Sequence, residues 1–271
     1  MQSVIKIWKE TIRIFGQNRG IFLPFFIVGI VDIFLLIIIY LAPQPPLSVL
    51  LSPPIKVFWG ERFLHYPLNL FLIPRLFDLA HTISIAFTGV LMTGTAVRML
   101  EEVHNGSGPD FGRGLTNSLR AYLKIFVIWL VMFGLVSAVF KLLPVIFKLK
   151  QGMASLLLLG AGFIISIFIQ AIFIYAIPAV IIEEKKIWPA IKRSVSFCFG
   201  AFLPTLILVG LPTIIYLPIL ILKGKLSLMV SKIFPEAVLI FVGLGIVISV
   251  IMDCLVTSST VVFFLNKRKS E

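Results

Sequence analysis

The chain has 271 residues, of which 59% are hydrophobic and only 13% are charged, and its mean hydropathy is +1.08. A soluble fold has too little interior to bury this much apolar surface, so the composition excludes an ordinary soluble domain and predicts an all-α integral membrane protein. The net charge of +12 has no soluble face on which to gather, which argues against nucleic-acid binding. We expect the basic loops to contact membrane lipids through their anionic headgroups at the inner surface.

Residues 7–27 return without a gap at 187–207, and a weaker copy at 111–126 keeps Arg113, Tyr122 and Leu123. Each copy precedes two long apolar stretches. The sequence therefore predicts one polytopic domain over 1–271, built from three repeats of an amphipathic helix plus a helical hairpin. These repeats cover about 4–100, 108–182 and 187–265. The identities between the first and third copies are Ile7/Ile187, Trp8/Trp188, Arg13/Arg193, Gly20/Gly200, Phe22/Phe202, Leu23/Leu203, Pro24/Pro204 and Ile27/Ile207.

The apolar stretches predict six transmembrane helices, because each is long enough to cross about 30 Å of hydrocarbon. Lys and Arg lie mostly in the segments that are internal if both termini are internal, which favours a multi-pass protein of the cytoplasmic membrane with cytoplasmic termini. Pro24 and Pro204 are expected to kink equivalent helices. The predicted spans are 21–41, 76–97, 122–143, 153–182, 201–222 and 237–265.

The amino-terminal helix, 4–15, is typical of a helix lying in the membrane interface. One face carries Val4, Trp8, Ile12 and Phe15, and another carries Lys6, Lys9 and Arg13. A cytoplasmic extension of the first span explains the same pattern. The apolar run that follows is too long for a signal peptide and contains Asp32, so we expect no cleavage.

The segment 42–74 contains several prolines, which predict that no seventh span forms there. Its aromatic residues, which include Phe58, Phe63 and Tyr66, indicate a segment on the outer membrane surface. Simple interfacial anchoring and a lid over an outward-facing cavity are both consistent with this composition.

Polar side chains within the predicted spans are the candidates for function, because a charge at the bilayer centre costs about 2.5 to 3.5 kcal/mol. Candidate midplane binding residues are Asp32, Asp253, Thr257 and Gln170, which would serve as cation or proton sites or hold a ligand's polar head. The alternative is interhelical hydrogen bonding with no ligand. Arg75, Asp78 and His81 form a predicted outer-rim polar cluster, for which a solvated salt-bridge cluster is the alternative.

The residues 178–194 read PAVIIEEKKIWPAIKRS, and the pattern of Pro178, Glu183, Arg193 and Ser194 forms an inner-surface junction motif. We expect Pro178 to interrupt the fourth helix and Glu183 to begin the next one, or to pair with Arg193 or with an arginine of another repeat. This motif resembles that of bacterial polytopic proteins related to the membrane domain of glycerophosphodiester phosphodiesterases. The resemblance implies fold and location rather than hydrolysis, because the catalytic barrel is absent from this sequence.

The sequence predicts a non-enzymatic membrane protein, since it contains no HExxH, GxSxG or P-loop motif. Its histidines and cysteines lack metal-ligand spacing, so we expect no metal and no cofactor. The favoured function is a small transporter or binder of lipid-like or amphiphilic molecules. A structural accessory subunit of a larger membrane complex is the alternative, and an intramembrane enzyme is a third hypothesis. The sequence names neither a protein partner nor an oligomeric state.

Overall fold

The computed structural model describes residues 4–61, 65–66, 68–147, 153–221 and 234–270. This part of the chain is all-helical and contains no β-strand. Phe63, one of the aromatic residues of the outer-surface segment, lies outside the described residues, as does the last residue of the predicted span 201–222.

The described part of the chain is built of α-helices, as the long apolar runs predict. They are α1 (Val4–Gln17), α2 (Leu23–Leu41), α3 (Leu47–Trp59), α4 (Leu68–Ser84), α5 (Val90–His104), α6 (Phe111–Phe147), α7 (Met153–Phe173), α8 (Ala176–Ile181), α9 (Ile187–Gly200), α10 (Phe202–Ile221) and α11 (Ala237–Ser270). A 3-10 turn, Arg19–Phe22, precedes α2, and a π-helical turn, Ile85–Gly89, joins α4 to α5.

Five stretches of the described chain are helical, long and apolar enough to cross a membrane. They coincide with five of the predicted spans. The remaining prediction, 201–222, corresponds to Phe202–Pro218, which counts as a sixth span only together with Ile187–Gly200, from which it is bent by 98°. The five are Arg19–Leu41, Leu68–His104, Phe111–Leu143, Gly160–Ile181 and Ala237–Lys269.

The two prolines at equivalent positions of the repeats lie at helix starts. Pro24 and Pro204 lie in the first turn of α2 and of α10, so the prediction that they kink equivalent helices is wrong. Proline is tolerated in a first turn because the N–H groups there have no intrahelical partner. Pro53 and Pro54 lie inside α3, which is apolar but shorter than a span, in keeping with the absence of a seventh span at 42–74 among the described residues.

The chain divides into two compact units. The first unit comprises Met1–Pro24, Val90–Thr213 and Cys254–Glu271, and the second comprises Phe25–Gly89 and Ile214–Asp253. In the first unit, α5 packs along α6, and α8 packs against α6 and α9. The second unit has an apolar core formed by Leu36, Ile39, Ala42, Leu70, Ile73, Leu76, Phe77, Val238, Val242 and Ile246. All the residues of the candidate site described next belong to the second unit.

Candidate functional site

A buried carboxylate and an imidazole face each other in the second unit. Asp32 is in the middle of α2, and His81 is near the end of α4. Nδ1 of His81 lies 3.1 Å from Oδ1 of Asp32, whose side chain is only 2% exposed. Both atoms are buried, and the approach is close without the alignment of a hydrogen bond. We refer to these two residues as the Asp32–His81 pair.

Packing fixes the orientation of the imidazole. The ring of Phe77, one turn earlier on α4, is stacked on His81 with centroids 5.4 Å apart and an angle of 16° between the planes. Phe77 is itself buried in the apolar core of the unit. The histidine therefore has one face held by an aromatic ring and one nitrogen directed at a carboxylate, so its position depends on apolar packing as well as on charge.

Asp253 is a second carboxylate of the same site. It lies in α11 and, unlike Asp32, its side chain is accessible. Ser249, one turn before it, donates a hydrogen bond to Oδ2 of Asp253 at 3.4 Å. The charges of His81 and Asp32 both act on Asp253, which places the three groups in one electrostatic neighbourhood. The site thus combines a buried pair with an accessible carboxylate.

Tyr216 adds a hydroxyl to this neighbourhood. It lies in α10, is half-buried, and its side chain is hydrogen-bonded to Ser249. The charges of Asp253 and Asp78 both act on it. Tyr216 has no distinguishing signal in the sequence, because a tyrosine in an apolar stretch is most often an interfacial anchor. Only the packing of α10 within this unit shows that it joins a polar cluster.

The predicted outer-rim cluster is divided in the structure. Arg75 and Asp78 lie on the exposed side of α4, whereas His81 is half-buried and directed at Asp32. The carbonyl of Asp78 accepts a hydrogen bond from Thr82 at 2.8 Å. His81, which was predicted for the outer rim, therefore lies beside Asp32, which was predicted for the midplane.

The other two candidate midplane residues belong to the first unit. Gln170 is half-buried in α7, and Thr257 is half-buried in α11, where its carbonyl accepts a hydrogen bond from Thr260 at 3.0 Å. That bond satisfies the hydroxyl of Thr260, not that of Thr257, within the helix. Asp32 and Asp253, by contrast, both contribute to the cluster in the second unit.

The junction motif forms a compact corner in the first unit. Pro178 is buried in α8, and Ser194 of α9 donates a hydrogen bond to the carbonyl of Ile172 at 2.5 Å. Oε1 of Glu183 lies 3.6 Å from Nε of Arg193, as the pairing alternative predicted, and Oε2 lies 2.6 Å from Nζ of Lys185. The expectation that Glu183 begins the next helix is wrong, because α9 begins only at Ile187.

A charged network in the first unit was missed by the sequence analysis. Glu102, at the end of α5, is buried and accepts a hydrogen bond from the backbone N–H of Asp110 at 3.0 Å. Its Oε1 lies 3.8 Å from both Arg98 and Arg113, and its neighbour Glu101 lies 2.6 Å from Arg98. Glu102 thereby fixes the loop that precedes α6. The sequence signal for this network is the pair of adjacent glutamates, 101–102, directly after an apolar span. The glutamates at 183–184 also follow an apolar span.

Neither unit offers a metal-binding cluster in the part of the chain that the structure describes: no group of three or more His, Cys, Asp and Glu side chains there is arranged to hold an ion. The Asp32–His81 pair with Asp253 has suitable ligand types but not this arrangement. Its chemistry is that of proton exchange and of binding a cation or a hydrogen-bond donor.

Comparisons with known proteins add no relative to this description. No protein-family profile matches the chain, and neither the curated proteins nor the solved structures give a match. Nothing in them links the chain to the membrane domain of glycerophosphodiester phosphodiesterases, so that resemblance stays a prediction.

Proposed function

We propose that this chain is a non-enzymatic, multi-pass protein of the cytoplasmic membrane that binds or transports an amphiphilic molecule. Its polar site is Asp32, His81 and Asp253 in the second unit. Both termini face the cytoplasm in this proposal, and the fold derives from three repeats of an amphipathic helix and a hairpin. Exposed large apolar side chains support the membrane location. They lie along helices that are long enough to cross a membrane, and they include Phe26, Phe34 and Leu123.

The observation that carries the function is an accessible carboxylate in a span-length helix, beside a buried carboxylate–imidazole pair. A carboxylate exposed to lipid tails would cost several kcal/mol, so Asp253 requires water, a ligand or protonation. The Asp32–His81 pair is only electrostatically compensated, because its two facing atoms lack an aligned hydrogen bond. Groups held this way are expected to exchange a proton or to reorganise when a ligand arrives.

The charges of the site favour a particular class of ligand head. With both carboxylates ionised the site is negative, because two carboxylates face one imidazole. A cationic or hydrogen-bond-donating polar head is attracted to such a site, whereas a phosphate or carboxylate is repelled. The hydroxyls of Ser249 and Tyr216 supply further hydrogen-bonding groups. An apolar tail would lie along the exposed apolar helix surfaces.

The test is mass spectrometry of the small molecules that co-purify with the protein in native-membrane discs. We would compare the wild type with the double variant Asp32→Asn/Asp253→Asn. The matched control is Asp110→Asn, which makes the same chemical change at the start of α6. Asp110 accepts a hydrogen bond from the N–H of Arg113 at 3.0 Å, and asparagine caps helices equally well, so this control should keep its fold.

We expect one small molecule to be enriched with the wild type and with Asp110→Asn but lost from the double variant. An identical small-molecule profile for all three proteins, with each eluting as the same species, contradicts the proposal. A stoichiometric protein retained by all three, with no enriched small molecule, supports the alternative of a structural accessory subunit.

A further inference from the structure

A basic pocket lies on the first unit, on residues that the proposed site does not use. It has a volume of about 430 Å³ and is lined by Lys6, Lys9, Glu10 and Arg13 of α1 and by Asn266 of α11. The four α1 residues are spaced i, i+3, i+4 and i+7, so they share one side of the helix. Ile7, Thr11 and Ile14 are buried, which holds α1 against the unit with its basic side outward.

The positive charges of this pocket are not neutralised by an ion pair with any residue that the structure describes. Among the described residues, no carboxylate lies within 4 Å of Lys6, Lys9 or Arg13 in an ion pair. The pocket's own carboxylate, Glu10, accepts a hydrogen bond from the Asn266 side-chain amide at 2.9 Å. Three cations therefore face one carboxylate that is already engaged, and the pocket keeps a net positive charge.

The two other copies of the repeated arginine are neutralised from within the chain. Arg113 lies 3.8 Å from Glu102, and Arg193 lies 3.6 Å from Glu183. Each of these carboxylates follows buried apolar residues, Glu102 near the end of α5 and Glu183 just after α8. At the position that corresponds for Arg13, the buried residues 261–265 of α11 are followed by Asn266, which carries an uncharged amide. Asn266 is the residue of α11 that contacts α1, through Glu10. Among the described residues, Arg13 therefore has no ion-paired carboxylate like those of Arg113 and Arg193.

The surroundings of the pocket indicate where the missing anion comes from. Ile5 and Ile12, on the next side of α1, are 64% and 63% exposed. Exposed isoleucines beside a row of cations are typical of a helix in the membrane interface, with apolar side chains among acyl chains and basic ones at the phosphates. A volume of about 430 Å³ accommodates a headgroup phosphate.

We propose that the pocket of Lys6, Lys9, Arg13 and Asn266 binds the phosphate of an anionic phospholipid headgroup. The lysines and Arg13 supply the positive charge, with Arg13 presenting a planar fork to two phosphate oxygens. The Asn266 amide holds Glu10 aside. This site selects an anion, so it is separate from the negative site of the second unit and does not depend on the function proposed for it.

The test uses the single tryptophan of α1 as a reporter. Trp8 adjoins Lys9, and the chain's other three tryptophans, Trp59, Trp129 and Trp188, can be replaced by phenylalanine. The protein is placed in discs of phosphatidylcholine that contain a rising fraction of brominated phosphatidylglycerol, whose bromines quench a nearby tryptophan. Brominated phosphatidylcholine at the same fractions is the reference, because the pocket should not prefer its zwitterionic headgroup.

The variant pair is matched in charge. Lys9→Gln/Arg13→Gln removes two cations from the pocket, and Arg19→Gln/Lys186→Gln removes two exposed cations outside it. We expect phosphatidylglycerol to quench Trp8 at lower fractions than phosphatidylcholine does. The pocket variant should lose about twenty-five-fold in relative affinity, at roughly fivefold for each cation, while the outside variant stays near the wild type. Arg13→Gln alone should lose about fivefold.

Two results would overturn this inference. The first is equal quenching by the two brominated lipids in the parent protein. The second is an equal loss in the pocket and outside variants, since that would mean a general surface charge. Inorganic phosphate and glycerol phosphate, added at millimolar concentration, distinguish the sources of the anion. Displacement of the brominated lipid by these soluble ions would assign the pocket to a free phosphate, and no displacement supports the lipid.

Discussion

Glu102 is the buried acceptor on which the charged network of the first unit depends, and its removal gives the sharpest prediction of stability. Glu102→Ala deletes the acceptor for the Asp110 N–H at 3.0 Å, and a hydrogen bond to a charged group contributes about 1.5 to 3 kcal/mol. The contacts with Arg98 and Arg113 are at 3.8 Å, to guanidiniums that are 29% and 63% exposed, so they add about 0.2 to 1 kcal/mol.

The sum predicts that Glu102→Ala lowers the free energy of unfolding by about 2 to 4 kcal/mol. Glu102→Gln keeps a neutral acceptor, so it should cost about 1 to 2 kcal/mol. The control is Arg268→Gln, because Arg268 touches the network only at 4.0 Å from Glu101 and is exposed. We expect that variant to lie within about 0.5 kcal/mol of the wild type.

The assay is reversible urea unfolding in mixed micelles, monitored by circular dichroism. Differences in the free energy of unfolding are calculated from the urea midpoints, provided that the dependence of the free energy on urea concentration is unchanged. If Glu102→Ala falls within about 0.5 kcal/mol of the wild type, the argument is wrong, because a buried charged acceptor cannot be removed so cheaply from an intact loop. Equal losses in Glu102→Ala and Arg268→Gln would show that overall charge, rather than the buried acceptor, sets stability.

Two further predictions concern a close helix contact and a surface tyrosine. A Cβ at Gly94 would lie 2.8 Å from Oγ of the buried Ser118 and 3.1 Å from Cδ1 of Ile125, so Gly94→Ala should destabilise by about 1 to 3 kcal/mol. Ser118→Ala removes only the closest of these contacts and should rescue Gly94→Ala in part, whereas Gly134→Ala, with no atom within 4 Å, should stabilise slightly in the same unfolding assay. Tyr66 donates a hydrogen bond to Glu236 at 2.8 Å, and this bond raises the pKa of Tyr66 above its ordinary value of 10. The hydrogen bond should therefore persist through pH 10 and be lost as the pH rises through the raised pKa of Tyr66. NMR of labelled tyrosine should show the pKa of Tyr66 falling back toward 10 in Glu236→Gln, and an unchanged pKa would contradict the assignment.

The positions of the helices were predictable from local composition. Runs of about 20 apolar residues form helices wherever backbone polar groups must be satisfied internally, so five predicted spans coincide with helices of sufficient length. Fine features were not: the prolines at 24 and 204 were expected to kink helices and instead lie at their starts, because a proline's effect depends on its distance from the helix end.

Charge in an apolar stretch was equally visible in the sequence. Asp32 and Asp253 stand out because each interrupts a run of aliphatic side chains. Their partners do not stand out, because His81 is one of three histidines and Tyr216 one of five tyrosines, with no spacing that relates either to the carboxylates. The neighbours of Glu102 are similarly spread, since Arg98 precedes it by one helical turn and Arg113 follows it beyond a loop.

The sequence by itself therefore determined which segments are helical and which residues are too polar for their surroundings, because both properties are local. The tertiary structure alone decided which of those residues meet. His81 faces Asp32 because α2 and α4 share a core. Arg13 forms no ion pair with a described carboxylate, and the last turns of α11 bring Asn266 rather than an acidic residue to α1. Contacts of this kind depend on the packing of helices that are distant in the chain, and no periodicity in the sequence encodes that distance.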